Sequence, residues 1–188
     1  MMENIQELYI TTNMAKEEKC LKENLIYDGR ILKLNCDDVL CSNGVTTKRE
    51  IIHHNGGVCI LANIDGKIPF VKQFRYAYKE EVLELPAGKI EKGEDPYNSA
   101  LRELEEEVGL IADSLEDFGV MYPSPGYTNE KIYLYVAKGI KKGSQHFDKD
   151  EVLEVIYLTI DEVKDYLKNN KIKDAKTICL LYKYLCRE

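Results

Sequence analysis

The sequence predicts an α+β fold: an α/β/α sandwich whose mixed sheet is flanked by helices, with an extra N-terminal antiparallel sheet. Three observations predict it. Short apolar or alternating runs, separated by Asn-Gly, Asp-Gly and Pro/Gly turns, recur through most of the chain. Three stretches switch to a helical period, Glu94–Val108, Asp161–Asn169 and Asp174–Cys186. The 188 residues, 44% of them hydrophobic, suffice for one packed core and are too few for two large domains.

The elements follow in chain order. Glu23–Glu50 alternates polar and apolar residues around Asn43-Gly44, a dipeptide that accepts the positive φ of a tight hairpin turn. Val58–Ile64 and Ile68–Phe74 are apolar runs separated by Asp65-Gly66, a second hairpin signal. Val82–Pro86 reads as a short strand, after which Gly88 opens a loop. In the first helix Tyr97, Ala100, Leu101, Leu104 and Val108 form one apolar stripe, and Gly109 stands where the helix should stop. Phe118–Tyr122, Ile132–Val136 and Val152–Leu158 read as strands. The link Pro123–Glu130 holds two prolines and a glycine, which makes it a shaped turn. The last helix carries Ile178, Leu181 and Leu185 on one side.

Composition excludes several function classes. No run of 18 apolar residues provides a membrane helix, and Met1–Cys20 is polar and charged, without a signal-peptide core. Cys20, Cys36, Cys41, Cys59, Cys179 and Cys186 show neither C-x-x-C nor zinc spacing, so they read as reduced thiols in a cytoplasmic protein. His53, His54 and His146 show no ligand spacing either. The net charge of −7 argues against general nucleic-acid binding. That excess lies entirely within Glu80–Glu107, where ten acids meet three bases.

On the first helix, Glu103, Glu106 and Glu107 stand at i, i+3 and i+4, so they share one face while the apolar stripe anchors the other. Three like charges on one face repel one another. A hard divalent cation removes that penalty, and oxygen-only donors favour Mg²⁺ or Mn²⁺. Arg102 and Glu94 are placed to brace the cluster. An isolated E-x-x-E-E is more often an ordinary solvated face. Here the preceding loop decides: Gly88 through Leu110 fits G-x5-E-x7-R-E-U-x-E-E-x-G-U at every position. Seven fixed residues give a chance match on the order of one in 10⁸ per start position.

This is the signature of the Nudix hydrolases, which the chain resembles over residues 23 to 186. Val71-Lys-Gln-Phe-Arg75, Glu84-Leu-Pro-Ala-Gly88 and Ser124-Pro-Gly-Tyr-Thr-Asn-Glu130 resemble the ADP-ribose pyrophosphatase branch, with Pro125 lying 15 residues past the box. The resemblance implies Mg²⁺-dependent hydrolysis of ADP-ribose to AMP and ribose 5-phosphate, with Mn²⁺ as a substitute and roughly two or three ions per site. It implies Glu103, Glu107 and the Ala87 carbonyl as metal ligands, with Glu106 at a further metal or its water. Glu106, Glu151, Arg102 and Glu94 form the implied catalytic set. Glu151 is the loop carboxylate near the attacking water, a role Asp150 and Glu154 could also fill. Arg75, Arg49, Glu84 and Gly126 are the implied substrate contacts: Arg75 for phosphate, Arg49 reaching the diphosphate across a dimer interface. The branch stacks adenine on N-terminal aromatics, often Trp; this chain has no Trp, and Tyr27 is the candidate. Residues 1–50 are expected to form the arm of a homodimer and 51–188 the Nudix domain. Two other readings stand beside this one: a pyrophosphatase for another nucleoside-diphosphate sugar or dinucleotide (GDP-mannose, NADH, FAD), and a non-catalytic ADP-ribose-binding module.

Overall fold

Four antiparallel strands make the N-terminal sheet: β1 (Lys19–Lys22), β2 (Leu25–Asp28), β3 (Lys33–Leu40) and β4 (Thr46–His53). β3 is central, pairing with β4 along one edge and with β1 and β2 along the other. The Asn43-Gly44 turn forms as expected: Gly44 adopts φ 82° and its N–H donates to the Cys41 carbonyl at 2.9 Å. Alternation in β3 turns Asn35, Asp37 and Val39 to its buried face. The Asp37 carboxylate accepts from Asn24 N–H (2.9 Å) and Asn35 Nδ2 (3.2 Å), so the buried polar groups are satisfied. The computed structural model describes residues 17–146 and 152–187. Within it the chain divides at His54 into two units, the first also taking in Gly126–Thr128.

The second unit is built around β5 (Gly57–Leu61), buried along its whole length. Val58 and Ile60 enter one apolar layer, with Ala100, Leu104 and Val108, while Cys59 and Leu61 enter another, with Leu134, Leu180 and Leu181. A strand covered on both faces reads as a continuous apolar run rather than an alternating one. β5 pairs in parallel with β10 (Ile132–Lys142) and antiparallel with β8 (Ala87–Lys89); β9 (Leu110–Met121) completes the order β8-β5-β10-β9. A second sheet runs β11-β6-β7, from β6 (Lys67–Arg75), β7 (Glu80–Glu84) and β11 (Leu153–Thr159). Helix α1 (Pro96–Val108) packs in the first layer; α2 (Ile160–Lys168) and α3 (Ala175–Leu185) pack in the second. The α+β architecture with mixed pairing is the one expected.

Five expectations are corrected. The Asp65-Gly66 turn forms, with φ of 50° and 78°, but only Ile64 and Lys67 pair across it. β5 and β6 then part into different sheets, because β5 takes β8 and β10 as its neighbours. The loop expected at Gly88 is strand β8, and the strand expected at Val82–Pro86 ends at Glu84. The strand expected at Phe118–Tyr122 begins eight residues earlier, at Leu110, directly after the helix cap. The first helix starts at Pro96 rather than Glu94, since Asp95 caps it by accepting from Tyr97 N–H at 2.9 Å. Its end is as expected: Gly109 takes φ 65° and donates to the Glu105 carbonyl.

Candidate active site

Helix α1 places Glu103 and Glu107 beside the β8 segment, Glu107 at the margin of the side buried by Ala100, Leu104 and Val108, while Glu106 faces Arg102. Arg102 gathers the cluster. Its Nε and Nη2 donate to the two oxygens of Glu94 at 2.9 and 3.0 Å, and its Nη1 donates to Glu103 and Glu106, both at 2.8 Å. Nη2 also meets Ser99 Oγ and the Lys89 carbonyl. One guanidinium thus bridges three carboxylates, a use of its planar donor fork that a lysine could not reproduce. The Arg102 guanidinium beside Glu94 holds that carboxyl down at about 2. Glu94 also accepts from Glu91 N–H at 3.0 Å, which ties the loop before the helix to the cluster.

Glu107 is 5% exposed, and its Oε2 accepts from the Ala87 N–H at 2.9 Å. A Cβ added at Gly88 would lie 2.0 Å from the Glu103 carboxyl, so the side chain occupies the space that glycine leaves. These two contacts key the Ala87-Gly88 backbone against the acidic face. Among the described residues, no group of three or more His, Cys, Asp or Glu is already gathered as a metal cage; Arg102 takes up oxygens of Glu103 and Glu106 instead. The donor set still suits a hard divalent cation: carboxylates at i, i+3 and i+4 on one helix face, beside a backbone segment held close enough to lend a carbonyl.

Glu84 and Arg75, both expected as substrate contacts, meet each other. Arg75 Nε and Nη2 donate side-on to the Glu84 oxygens at 2.5 and 2.7 Å. Glu84 is 2% exposed, and Lys176 of α3 also reaches its Oε2. Burial alone would raise the Glu84 pKa, but Arg75 and Lys176 outweigh it and hold the carboxyl below the usual range. Lys176 and its second partner, Asp174 (3.0 Å), were not singled out by sequence reasoning. The Asp174 cap is a recognisable helix start, but a lysine partner 92 residues from Glu84 leaves no local signal.

The remaining expected residues stand elsewhere. Arg49, in the N-terminal unit, donates to Glu18 at 2.9 Å through Nε and 2.5 Å through Nη2. Gly126 lies in an exposed turn, with open space where a Cβ would point. Tyr27 is 58% exposed, and its ring covers Gly29. Glu154 is exposed on β11, 3.6 Å from Lys72 Nζ. Asp150 and Glu151 lie outside the described residues. Among those residues no helix is long and apolar enough to cross a membrane.

The family description "NUDIX domain" matches residues 53–181, which span the helix, its loop and the sheets that carry them. The chain belongs to the Nudix family. It is 46% identical to the methanol dehydrogenase activator of Bacillus methanolicus and 40% identical to the ADP-ribose pyrophosphatase of Bacillus subtilis (strain 168). Each alignment covers 86% of this chain and 89% of the relative. The crystal structure of an ADP compounds hydrolase superposes with a TM-score of 0.83 over 94% of this chain and 96% of that one. At 23% identity this likeness speaks for the fold. Nudix ADP-ribose pyrophosphatases depend on a divalent metal, generally Mg²⁺.

Proposed function

We propose that this Nudix chain hydrolyses the diphosphate bond of ADP-ribose, giving AMP and ribose 5-phosphate. The observation that carries the reading is the complete acidic helix, braced by Arg102, in a chain 40% identical to an ADP-ribose pyrophosphatase over 86% of its length. Glu103, Glu107 and the Ala87 carbonyl would hold Mg²⁺, with Glu106 serving a further ion, for two or three ions in all. When bound, the ions supply charge neutralisation of the diphosphate and a more acidic water. Arg102 and Glu94 fix the carboxylates in place, and Arg75, with Glu84 behind two of its donors, keeps Nη1 for a phosphate oxygen. Glu151 is the proposed orienter of the attacking water, and Arg49 and Gly126 remain proposed substrate contacts. Six cysteines, all thiols, fit a cytoplasmic enzyme.

The test is phosphate release, coupled to phosphatase, from ADP-ribose, GDP-mannose, UDP-glucose, NADH and FAD at fixed Mg²⁺, with an EDTA control. ADP-ribose should turn over fastest, and EDTA should abolish turnover. A different winner would move the specificity to another nucleoside-diphosphate sugar or dinucleotide; no turnover on any compound would favour a binding module. Because one relative bears the name of a methanol dehydrogenase activator, the panel includes that dehydrogenase. Faster alcohol oxidation on addition of this chain would give it a protein partner.

The N-terminal unit is the proposed dimerisation arm. β1 and β2 leave Leu21, Leu25, Ile26 and Tyr27 all at least half exposed, on both faces of the strands, and a second copy of the chain would cover them. Light scattering should give a particle of twice the 21.6 kDa chain mass; a 21.6 kDa particle at working concentration would overturn the dimer.

A further inference from the structure

The segment from Glu84 to Ala87 is held by the first turn of α3, a helix to which the acidic cluster itself makes no appeal. Thr177 is fully buried, and its Oγ1 accepts the Leu85 N–H at 2.8 Å. Lys176, one residue earlier, reaches Glu84 and Asp174 with a side chain only 15% exposed. Asp174 caps the helix through Oδ2, which accepts the Thr177 N–H at 2.9 Å, and uses Oδ1 for Lys176 at 3.0 Å. A cation in the first turn opposes the helix dipole, so the two carboxylates, rather than helix stability, account for Lys176 standing there. Two residues beyond Leu85, Ala87 donates its N–H to Glu107. Between them, the Pro86 carbonyl accepts from Ile60 N–H of β5 at 2.8 Å. Each residue from Glu84 to Ala87 is therefore held from outside the segment, Glu84 through its side chain and the next three through the backbone.

We propose that Thr177 and Lys176 are positioning residues for the divalent-cation site: they hold Leu85 and Glu84 so that the Ala87 carbonyl and the Glu107 carboxylate meet one ion at the correct separation. This rests on the reading of Ala87 and Glu107 as metal ligands. Neither residue touches metal or substrate; each acts through the four-residue segment. A backbone carbonyl has no side-chain freedom with which to correct a displaced chain, so its aim depends on the N–H contacts on either side. Removing the Thr177 hydroxyl strands a buried Leu85 N–H, and the segment must shift to find another acceptor. Removing the Lys176 charge leaves Glu84, among the described residues, with its Arg75 contact. The arrangement also links Arg75 to the same helix, since Glu84 holds Arg75 and Lys176 at once.

The test titrates Mn²⁺ into the full-length, metal-free chain and follows free Mn²⁺ by electron paramagnetic resonance, comparing wild type with Thr177→Val, Thr177→Ser, Lys176→Met and Glu107→Gln. Thr177→Val should weaken Mn²⁺ binding about ten-fold, the scale expected for a partner behind a ligand, and Thr177→Ser should restore it. Lys176→Met should shift binding in the same direction. In turnover, the Mg²⁺ concentration for half-maximal rate should rise while kcat at saturating Mg²⁺ stays near wild type. A general loss of packing would lower the melting temperature without this split. If Thr177→Val does not fold, by circular dichroism, Lys176→Met decides. Wild-type Mn²⁺ binding in a folded Thr177→Val or Lys176→Met protein, with Glu107→Gln impaired, overturns the positioning role alone. Wild-type binding in Glu107→Gln as well overturns the cation-site reading beneath it.

Discussion

Glu107→Gln is expected to lower kcat on ADP-ribose by roughly 10²–10³-fold, the scale set by losing one well-placed electrostatic group in a dry site, with the fold intact. The fold survives because glutamine keeps an oxygen that can accept the Ala87 N–H, as Glu107 does at 2.9 Å. What is lost is the charge: a neutral amide oxygen is a poorer partner for a hard cation than a carboxylate. The side chain is 5% exposed, so solvent screens the change little. Steady-state kinetics against Mg²⁺, with melting followed by circular dichroism, separates the two. Near-normal turnover in the variant would remove Glu107 from the metal set. A collapsed melting curve would make the residue structural first.

The acidic face was legible because helical spacing is local: i, i+3 and i+4 put Glu103, Glu106 and Glu107 together whatever the rest of the chain does. Of the Arg102 contacts, the one to Glu106 follows from the same i, i+4 spacing, whereas Glu103 is the adjacent residue and Glu94 reaches Arg102 from the loop before the helix. The exact start of the helix is not legible in the sequence because Glu94 and Asp95 are both acids ahead of a proline. Asp95 takes the cap, while Glu94 turns to Arg102 and Glu91. Strand β8 has no strand signal of its own. Ala87, Gly88 and Lys89 are extended only because Cys59, Val58 and Gly57 pair with them. The first half of β9 does alternate, with Leu110 and Ala112 buried and Ile111 and Asp113 exposed, but its length is set by pairing with β10 at the edge of the sheet. The least legible feature is the Glu84–Lys176 contact. Nothing within either short stretch signals the other, and only the packing of α3 in the layer with Leu85 brings them together.

Leu104→Ala is expected to destabilise the protein by about 2–5 kcal/mol while leaving the metal chemistry of the surviving folded molecules largely unchanged, the reverse of Glu107→Gln. Leu104 is fully buried among Val58, Ile60, Ala100, Val108 and Tyr135, on the side of α1 away from Arg102 and Glu106. Its truncation removes apolar contacts and leaves a cavity that a helix held at both ends cannot close. Asp95 and Pro96 fix the start of α1, and Gly109 with the Leu110 strand fixes its end. The cost therefore belongs at the upper part of that range. Urea unfolding should show a lower midpoint with an unchanged slope, and Mn²⁺ titration below the melting range should give a dissociation constant near wild type. If Leu104→Ala weakens Mn²⁺ binding as strongly as Glu107→Gln, then the apolar stripe sets the position of the carboxylates and the two faces of α1 are not independent. If each variant moves only its own observable, the helix is an anchored platform: packing fixes where it lies, and the charged face does the chemistry.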